Sequence, residues 1–436
     1  MFKIPLLTQI SKEINIPPDK SISHRAAMLA AICKDTTIIK PFSRSDDTKA
    51  TIDCLKRLGV SVKFNKTGGT LSVKGKGMYF PDKGKVTLYA AESGTTMRIL
   101  SGILCAQRFP VCFNAAPSLK RRPMSRIVVP LTEMGANFTN LANSNEEKEI
   151  YPPLSIMPPI KISGNDFSLK IASAQVKSAI LLASLYADRP TRVIEPYESR
   201  DHTERMLSLF GVGIKKKGTI TTCLPTARLK SPKKIFIPSD FSSAAFFIVL
   251  ALITKRSRLL IKNVNINPTR RGLLGVLKRM GARIKLVNKT DYYEPYADIL
   301  VLSSTLKATE VKEEEIPGMI DEIPILAAAA AFAEGKTRIR GAAELKVKET
   351  DRVKAMLYNL RAAGVTANAA TSNKNLTITI EGAGKFKQAR FKSFDDHRTA
   401  MSAIVLGSAT GKQCAIDDIR CINKSFPEFV KLIKSL

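Results

Sequence analysis

An internal repeat is the feature that most constrains the fold of this 436-residue chain. A segment of the form L-x-x-(apolar)-G-(A/V) recurs five times, and its glycines are spaced by 76, 76, 70 and 83 residues. Each segment is typical of an amphipathic helix that ends at a glycine, because the residue after a helix often adopts a left-handed conformation. The glycines are Gly59, Gly135, Gly211, Gly281 and Gly364.

A second series of segments supplies another helix to each repeat. Each segment begins with a polar residue and continues with small and apolar residues, at intervals of 72, 80, 69, 79 and 75. Helices that are apolar on nearly all sides are buried inside a domain. The starts lie near Ser21, Ser93, Ser173, Ser242, Asp321 and Asp396. The chain is therefore predicted to contain six units of about 73 residues.

Strand-like runs rich in β-branched residues separate these helices, for example T-T-I-I-K, R-L-L-I-K and L-T-I-T-I. Each unit is predicted as β-α-β-α-β-β, which places the chain in the α/β class. Units with their own sheet and buried helices favour globular grouping over a one-dimensional solenoid, and the length predicts two or three domains. The proline-rich stretch 151–159 is interpreted as a loop within the third unit.

Composition limits the classes of partner and compartment. A hydrophobic fraction of 44% and a net charge of +31 fit a folded protein with negatively charged partners, such as nucleic acid, anionic lipid or phosphorylated metabolites. No apolar run reaches the roughly 18 residues of a membrane span, and the N-terminus lacks a signal-peptide pattern. We expect a cytoplasmic protein. Seven cysteines without C-x-x-C and three scattered histidines predict reduced thiols and no metal site.

The predicted starts of the buried helices carry the residues best suited to ligand binding. The first reads P-P-D-K-S-I-S-H-R, and the second, E-S-G-T-T-M-R, has a glycine that lets a ligand approach the backbone. A helix N-terminus presents free N–H groups and partial positive charge, so it favours anions. Ordinary N-capping is the alternative for any one helix. Six such starts, several beside a cation, favour a small ligand with more than one anionic group.

Two further clusters are rich in charge. Residues 119–126 read L-K-R-R-P-M-S-R, and residues 347–352 read V-K-E-T-D-R. Each is compatible with a solvated surface, and the first is also compatible with contacts to nucleic-acid phosphates. Taken by themselves, the two clusters leave these alternatives open.

Together the motifs resemble the 5-enolpyruvylshikimate-3-phosphate (EPSP) synthase family over almost the whole chain. The matching segments, in order, are P-x-D-K-S-I-S-H-R-A, E-S-G-T-T-M-R, R-P-M-S-R-I-V-V-P-L-T-E-M-G-A, S-A-Q-V-K-S-A, S-R-D-H-T-E-R-M-L, D-F-S-S-A-A-F-F, N-P-T-R, L-K-V-K-E-T-D-R, D-D-H-R-x-A-M and N-K-S-F-P-E-F. The resemblance implies an inside-out α/β barrel-like fold of two domains with three repeats each. Residues 1–19 with 238–436 would form one domain, and residues 20–237 the other.

The resemblance also implies the reaction. Members of this family transfer the enolpyruvyl group of phosphoenolpyruvate to the 5-hydroxyl of shikimate 3-phosphate in the shikimate pathway, release phosphate, and need neither metal nor cofactor (EC 2.5.1.19). They are the target of glyphosate. The implied catalytic residues are Asp321, which takes the hydroxyl proton, Glu349, which transfers a proton at the methylene carbon, and Lys20.

The implied ligand contacts draw on both predicted domains, so ligand-driven closure is expected. The residues implied for shikimate 3-phosphate are Lys20, Ser21, Arg25, Ser173, Ala174, Gln175, Ser199, Asp321 and Lys348. Those implied for phosphoenolpyruvate are Lys20, Gly94, Arg122, Gln175, Arg352, Arg398 and Lys424.

Three residues near these positions depart from the commonest family pattern. Pro18 and Glu92 stand where glycine and asparagine are frequent, and Glu344 stands where some members have asparagine. The family's contacts at these positions therefore do not transfer directly. Gly94 is retained where the most glyphosate-tolerant members have alanine, so the sequence does not predict tolerance.

Two alternative functions are consistent with parts of the sequence. An enolpyruvyl transferase acting on UDP-N-acetylglucosamine usually carries a cysteine acid in the cationic loop, and residues 118–126 contain none. An RNA-binding protein would explain the charge of +31, but aromatic residues are only 6% and tryptophan is absent, so no stacking platform is indicated. Nucleic acid is therefore not expected as a partner. The motifs do not define the oligomeric state, and we expect a monomer.

Overall fold

The computed structural model describes residues 1–65, 67–139, 149–372, 375–382 and 384–436. Within this part of the chain, the contacts define two compact units. Unit 1 comprises Met1–Pro17 and Pro238–Leu436, and unit 2 comprises Pro18–Ile237.

The described residues form short strands, α-helices and 3-10 helices. The strands are β1 (Phe2–Lys3), β2 (Ser11–Ile14), β3 (Thr36–Ile39), β4 (Ser61–Asn65), β5 (Thr70–Lys74), β6 (Val86–Tyr89), β7 (Val111–Asn114), β8 (Asn137–Thr139), β9 (Leu154–Met157), β10 (Asp166–Ser168), β11 (Thr191–Ile194), β12 (Ile214–Lys217), β13 (Ile220–Cys223), β14 (Lys234–Ile235), β15 (Arg258–Asn265), β16 (Arg283–Thr290), β17 (Tyr296–Leu302), β18 (Glu310–Val311), β19 (Lys336–Ile339), β20 (Thr366–Ser372), β21 (Asn375–Glu381), β22 (Arg390–Phe391) and β23 (Ala415–Ile416). The α-helices are α1 (Lys20–Ala31), α2 (Asp46–Arg57), α3 (Gly94–Leu104), α4 (Pro117–Lys120), α5 (Ser125–Glu133), α6 (Ala174–Ser184), α7 (His202–Leu209), α8 (Phe241–Ile253), α9 (Gly272–Arg279), α10 (Ile323–Ala331), α11 (Arg352–Ala362), α12 (His397–Ala409) and α13 (Phe429–Lys434). The 3-10 helices are Glu313–Gly318, Ile320–Glu322, Ala342–Val347 and Arg420–Lys424.

Five of the sheets share one topology. In each, a parallel pair of strands is followed by two antiparallel strands, as in the order β6-β7-β9-β8. The other four orders are β14-β3-β5-β4, β10-β11-β13-β12, β2-β15-β17-β16 and β18-β19-β21-β20. This recurrence confirms the α/β class and the repeat predicted from the spacing of the helices.

The N-terminal segment completes two sheets of unit 1. Strand β2 pairs in parallel with β15, and β1 pairs antiparallel with β23. The sheet that contains β1 has three strands, in the order β1-β23-β22, and differs in this way from the five four-stranded sheets.

Both helix series lie where the sequence predicts them. The amphipathic helices α2, α5, α7, α9 and α11 each lead into one of the five repeat glycines, and all five glycines have positive φ between +79° and +99°. The apolar helices α8, α10 and α12 pack on one another inside unit 1. In unit 2, α3 packs closely on α6. The helices are so close that a Cβ added at Gly102 would lie only 2.2 Å from the Ala179 carbonyl oxygen.

The interpretation of residues 151–159 as a loop of the third unit is wrong. Strand β9 lies within this stretch and joins the second sheet, between β7 and β8. Its flanking prolines, Pro153 and Pro158, stand just outside the strand, where the missing N–H does not interrupt the ladder. The four residues L-S-I-M carry the alternating burial of a strand.

Among the described residues, the helices are all too short or too polar to cross a lipid bilayer. All seven cysteines are free thiols.

Candidate active site

Unit 2 places the first set of predicted ligand residues on helix α1. Asp19 caps this helix by accepting a hydrogen bond from the Ile22 N–H, so the helix begins at Lys20, one residue before the predicted polar start, Ser21. Arg25 follows one turn later. The capped start fixes the backbone positions from which both cationic side chains extend.

Arg25 is buried, with 4% of its surface exposed, and its guanidinium is held by hydroxyl groups. Its Nε donates to Thr203 Oγ1 at 2.6 Å, and its Nη2 donates to Ser178 Oγ at 2.7 Å. A third bond runs from Nη1 to the Ser21 carbonyl oxygen at 3.0 Å. These three neutral acceptors orient the guanidinium.

Lys20 lies beside the start of the neighbouring helix α2. Its Nζ is 2.8 Å from Asp47 Oδ2. His24, between the two cations, is buried and shares a hydrogen bond of 2.6 Å with Thr51 Oγ1. Burial, reinforced by Lys20 and Arg25, holds the pKa of His24 well below its ordinary value. The histidine is therefore neutral, and Lys20 and Arg25 carry the positive charge of this helix.

Helices α3 and α6 bring Gly94 and Gln175 to the same part of unit 2. Gln175 accepts a bond from Arg98 Nη1 at 2.8 Å and donates to Thr95 Oγ1 at 3.1 Å. A Cβ at Gly94 would lie 3.0 Å from Arg122 Nη1 and 3.3 Å from Arg98 Nη1. The start of α3 therefore faces two guanidinium groups at close range.

The start of α6 and the loop before α7 hold the remaining predicted residues of unit 2. Ser173 caps α6 and Ala174 is its first residue. Ser199, in the loop, is buried, and its Oγ has no hydrogen-bond partner among the residues that the structure describes. The Ser199 carbonyl oxygen accepts from the buried Lys177 Nζ at 3.4 Å. A buried hydroxyl without a protein partner is a site where a ligand oxygen can bind.

Unit 1 builds a different arrangement around Arg352, the first residue of α11. Its side chain is 1% exposed and contacts three carboxylates. Nε is 2.9 Å from Asp396 Oδ2, Nη2 is 2.6 Å from Glu349 Oε2, and Nη1 is 3.4 Å from Asp321 Oδ1. Burial opposes the charge on Arg352, but Asp396, Glu349 and Asp321 outweigh it and raise the pKa of the guanidinium.

Asp321 and Arg398 meet at the start of α12. Asp321 belongs to a 3-10 helix, Ile320–Glu322, that precedes α10. Arg398 Nη2 lies 3.5 Å from Asp321 Oδ2, and its Nη1 donates to the Asp321 carbonyl oxygen at 3.1 Å. Asp321 is thus positioned between two guanidinium groups, those of Arg352 and Arg398.

Lys348 and Lys424 complete the predicted set in unit 1. Burial lowers the pKa of Lys348 from 10.5 to about 8; Arg352 adds to this effect, and Asp321, Glu349 and Glu344 oppose it. Lys424 Nζ lies 3.0 Å from Asp395 Oδ2, next to Asp396. The structure therefore groups Asp321, Glu349, Arg352 and Arg398 directly, with Lys348 within electrostatic range of them.

Two residues were missed by sequence reasoning. Arg98 binds Gln175 and faces the start of α3, and Asp47 pairs with Lys20. The motif E-S-G-T-T-M-R ends at Arg98, one turn after Gly94, so helical spacing could have identified it. Asp47 belongs to a different helix, and nothing in the spacing indicated its partner.

The family model for EPSP synthase (3-phosphoshikimate 1-carboxyvinyltransferase) matches residues 6–433 of this chain. The chain belongs to the EPSP synthase family. A relative from Petrotoga mobilis, named 3-phosphoshikimate 1-carboxyvinyltransferase, is 45% identical over 429 residues, which cover 98% of this chain and 97% of the relative. One of the same name from a Thermoanaerobacter species is 43% identical and covers 97% of each chain.

The fold is similar to a solved relative as well. The structure of EPSP synthase from Acinetobacter baumannii aligns with a TM-score of 0.85 at 39% identity, covering 100% of this chain and 97% of that chain. The predicted family, the α/β repeat fold and the enzyme class, a transferase of the shikimate pathway with EC number 2.5.1.19, are confirmed.

Proposed function

We propose that the protein transfers the enolpyruvyl group of phosphoenolpyruvate to the 5-hydroxyl of shikimate 3-phosphate through the residues described above. The grouping of Asp321, Glu349, Arg352 and Arg398 within unit 1 is the observation that carries this proposal. Two guanidinium groups between carboxylates can hold an anionic substrate and keep proton-transfer groups beside it.

In unit 2, Lys20, Ser21 and Arg25 would bind shikimate 3-phosphate together with Ser173, Ala174, Gln175 and Ser199, and Lys348 and Asp321 of unit 1 would contribute. Two observations support this assignment: the Arg25 guanidinium is oriented by two hydroxyl groups, and the Ser199 hydroxyl is buried. Phosphoenolpyruvate would contact Lys20, Gly94, Arg122 and Gln175 of unit 2, and Arg352, Arg398 and Lys424 of unit 1.

In the proposed chemistry, the 5-hydroxyl oxygen bonds to C2 of phosphoenolpyruvate while Asp321 accepts the hydroxyl proton. Glu349 gives a proton to the methylene carbon, which forms a tetrahedral intermediate. In the second half, the C–O bond to phosphate breaks, the phosphate leaves with the proton that Asp321 had accepted, and Glu349 takes a proton back from the methyl group. Its contact with Arg352 holds the carboxyl group of Glu349 in place.

We propose small-molecule substrates, a cytoplasmic location and a monomer, with no role for nucleic acid. Light scattering during size-exclusion chromatography tests the monomer. If generic RNA changed its mobility in a native gel when this protein was added, and the change depended on salt, the proposal that nucleic acid has no role would be contradicted.

The activity is tested by phosphate release from phosphoenolpyruvate with and without shikimate 3-phosphate. We expect release only with both substrates, and release without shikimate 3-phosphate would contradict the proposal. Asp321→Asn should lower kcat by about 10² to 10⁴, since a positioned general base contributes that much. Asp291→Asn, at an exposed loop position of the same unit, is the matched control and should match the parent.

A further inference from the structure

The motif N-P-T-R, residues 267–270, has no part in the proposed chemistry, yet it builds a buried polar turn in unit 1. Asn267 Oδ1 accepts bonds from the Thr269 N–H at 3.0 Å and from Thr269 Oγ1 at 2.9 Å. The Arg270 N–H donates to the Asn267 carbonyl oxygen at 2.9 Å. The turn therefore fixes the backbone from which the side chain of Arg270 extends.

Arg270 reaches the residue next to Asp321. Its guanidinium is 2% exposed, and Nη1 donates to Glu322 Oε2 at 2.7 Å. Ser242, at the start of α8, bonds to both Arg270 Nη2 and Glu322 Oε1. Asp240 Oδ1, at the cap of that helix, is 3.8 Å from Arg270 Nη2. The Glu322 carboxylate, which is itself fully buried, is thus held at both oxygens.

The same carboxylate faces Arg398. Glu322 Oε1 lies 3.6 Å from Arg398 Nη1, the nitrogen that also donates to the Asp321 carbonyl oxygen. A guanidinium held at Nη1 by a fixed carboxylate and a backbone oxygen keeps one orientation. That orientation directs its Nη2 toward Asp321 Oδ2.

We infer that Glu322, fixed by Arg270 and Ser242, is a positioning residue that orients Arg398 toward phosphoenolpyruvate. The inference rests on the proposed role of Arg398. Glu322 touches neither substrate and acts through Arg398.

Glu322→Gln tests the inference because it keeps the shape of the side chain and removes the charge. The matched control is Glu294→Gln, since Glu294 is also a fully buried carboxylate of unit 1 and binds Asn265 and Asn267 at 2.9 and 3.0 Å. The glutamine that replaces it still offers a carbonyl oxygen to both amides, so the turn that carries Arg270 is expected to keep its place. Both variants remove one buried carboxylate from neighbouring parts of the fold.

Steady-state kinetics with each substrate varied in turn is the measurement. We expect Glu322→Gln to lower kcat/KM for phosphoenolpyruvate by about tenfold or more, mainly through KM, since small misplacements of a binding group cost about this much. The KM for shikimate 3-phosphate should change less than about twofold, and Glu294→Gln should match the parent in both constants. Equal effects of the two variants, or a fall in kcat with both KM values unchanged, would overturn the inference.

A double variant covers the case in which Glu322→Gln folds poorly. Arg270→Met with Glu322→Gln removes both opposed charges, so no buried charge is left without its main partner. It should reproduce the selective rise in KM for phosphoenolpyruvate, and a parental KM in this folded variant would also overturn the inference. A failure of the proposed function can be distinguished from a failure of this inference, because it would appear as full activity in Asp321→Asn.

Discussion

The two units hold their key guanidinium groups by different means. Arg25 of unit 2 is bound by the hydroxyls of Thr203 and Ser178, whereas Arg352 of unit 1 is bound by Asp396, Glu349 and Asp321. Hydroxyls leave positive charge available to an anionic ligand. Carboxylates neutralise it but place proton acceptors next to the ligand. From this difference we propose that unit 2 serves mainly in binding and unit 1 in proton transfer.

Removing each guanidinium in turn should give the largest difference between the two units, measured as the free energy of unfolding. Arg352→Met leaves three carboxylates without their shared cation, so the free energy of unfolding should fall by about 3–5 kcal/mol. Arg25→Met removes the hydrogen bonds to the hydroxyls of Thr203 and Ser178, and the expected loss is about 1–3 kcal/mol. Urea denaturation of both variants measures the two values. Equal losses would show that the partners of the two groups are electrostatically alike.

Glu349 tests the assignment of proton transfer to unit 1. Glu349→Gln keeps size and hydrogen bonding but removes the acid, so kcat should fall by about 10² to 10⁴ with small changes in both KM values. A merely structural ion pair at this partly exposed position would contribute at most about 1 kcal/mol. Steady-state kinetics with a melting curve decides between the two, and a near-parental kcat would remove Glu349 from the catalytic residues.

Gly94 tests the close approach of the two guanidinium groups at the start of α3. Gly94→Ala adds a Cβ 3.0 Å from Arg122 Nη1, so Arg122 must shift. The KM for phosphoenolpyruvate should rise about tenfold, while the KM for shikimate 3-phosphate stays near the parental value. Gly275→Ala in α9 is the control, because a Cβ there meets nothing within 4 Å. A parental KM in Gly94→Ala would mean that Arg122 does not bind the substrate from its observed position.

Lys348 gives the smallest expected effect, a dependence on pH. Its pKa of about 8 means that the side chain is charged below this pH and neutral above it. The KM for shikimate 3-phosphate should therefore be constant below about pH 7 and rise by up to about tenfold per pH unit well above pH 8. Lys348→Arg keeps its charge throughout this range, so the rise should disappear. A rise that persists in the arginine variant would assign it to another group.

The repeat could be predicted from the sequence because helix ends depend on residues that are close together along the chain. The backbone is left-handed directly after α2, α5, α7, α9 and α11, a conformation that favours glycine. This preference is visible in a short window of sequence. Strand β9 was missed because its assignment depends on pairing with β7 and β8, more than a dozen residues away along the chain from its nearer partner. Prolines at its ends resemble those of a loop.

The candidate site was predictable in its residue types but not in its contacts. The motifs identified Arg352, Asp321 and Arg398, yet the pair of Arg352 with Asp396 joins residues 44 positions apart, and the pair of Arg270 with Glu322 joins residues 52 apart. Such pairs follow from how helices of different repeats pack. No spacing within one motif contains that information.

Isothermal titration calorimetry of shikimate 3-phosphate tests the division between binding and proton transfer most directly. Arg25→Gln should weaken binding by about 10- to 100-fold, since it removes a buried charge facing an anion. Glu349→Gln should bind within about threefold of the parent although its turnover is strongly reduced. Arg57→Gln, at the exposed end of α2, controls for the loss of a positive charge. Weaker binding in Glu349→Gln than in Arg25→Gln would contradict the account.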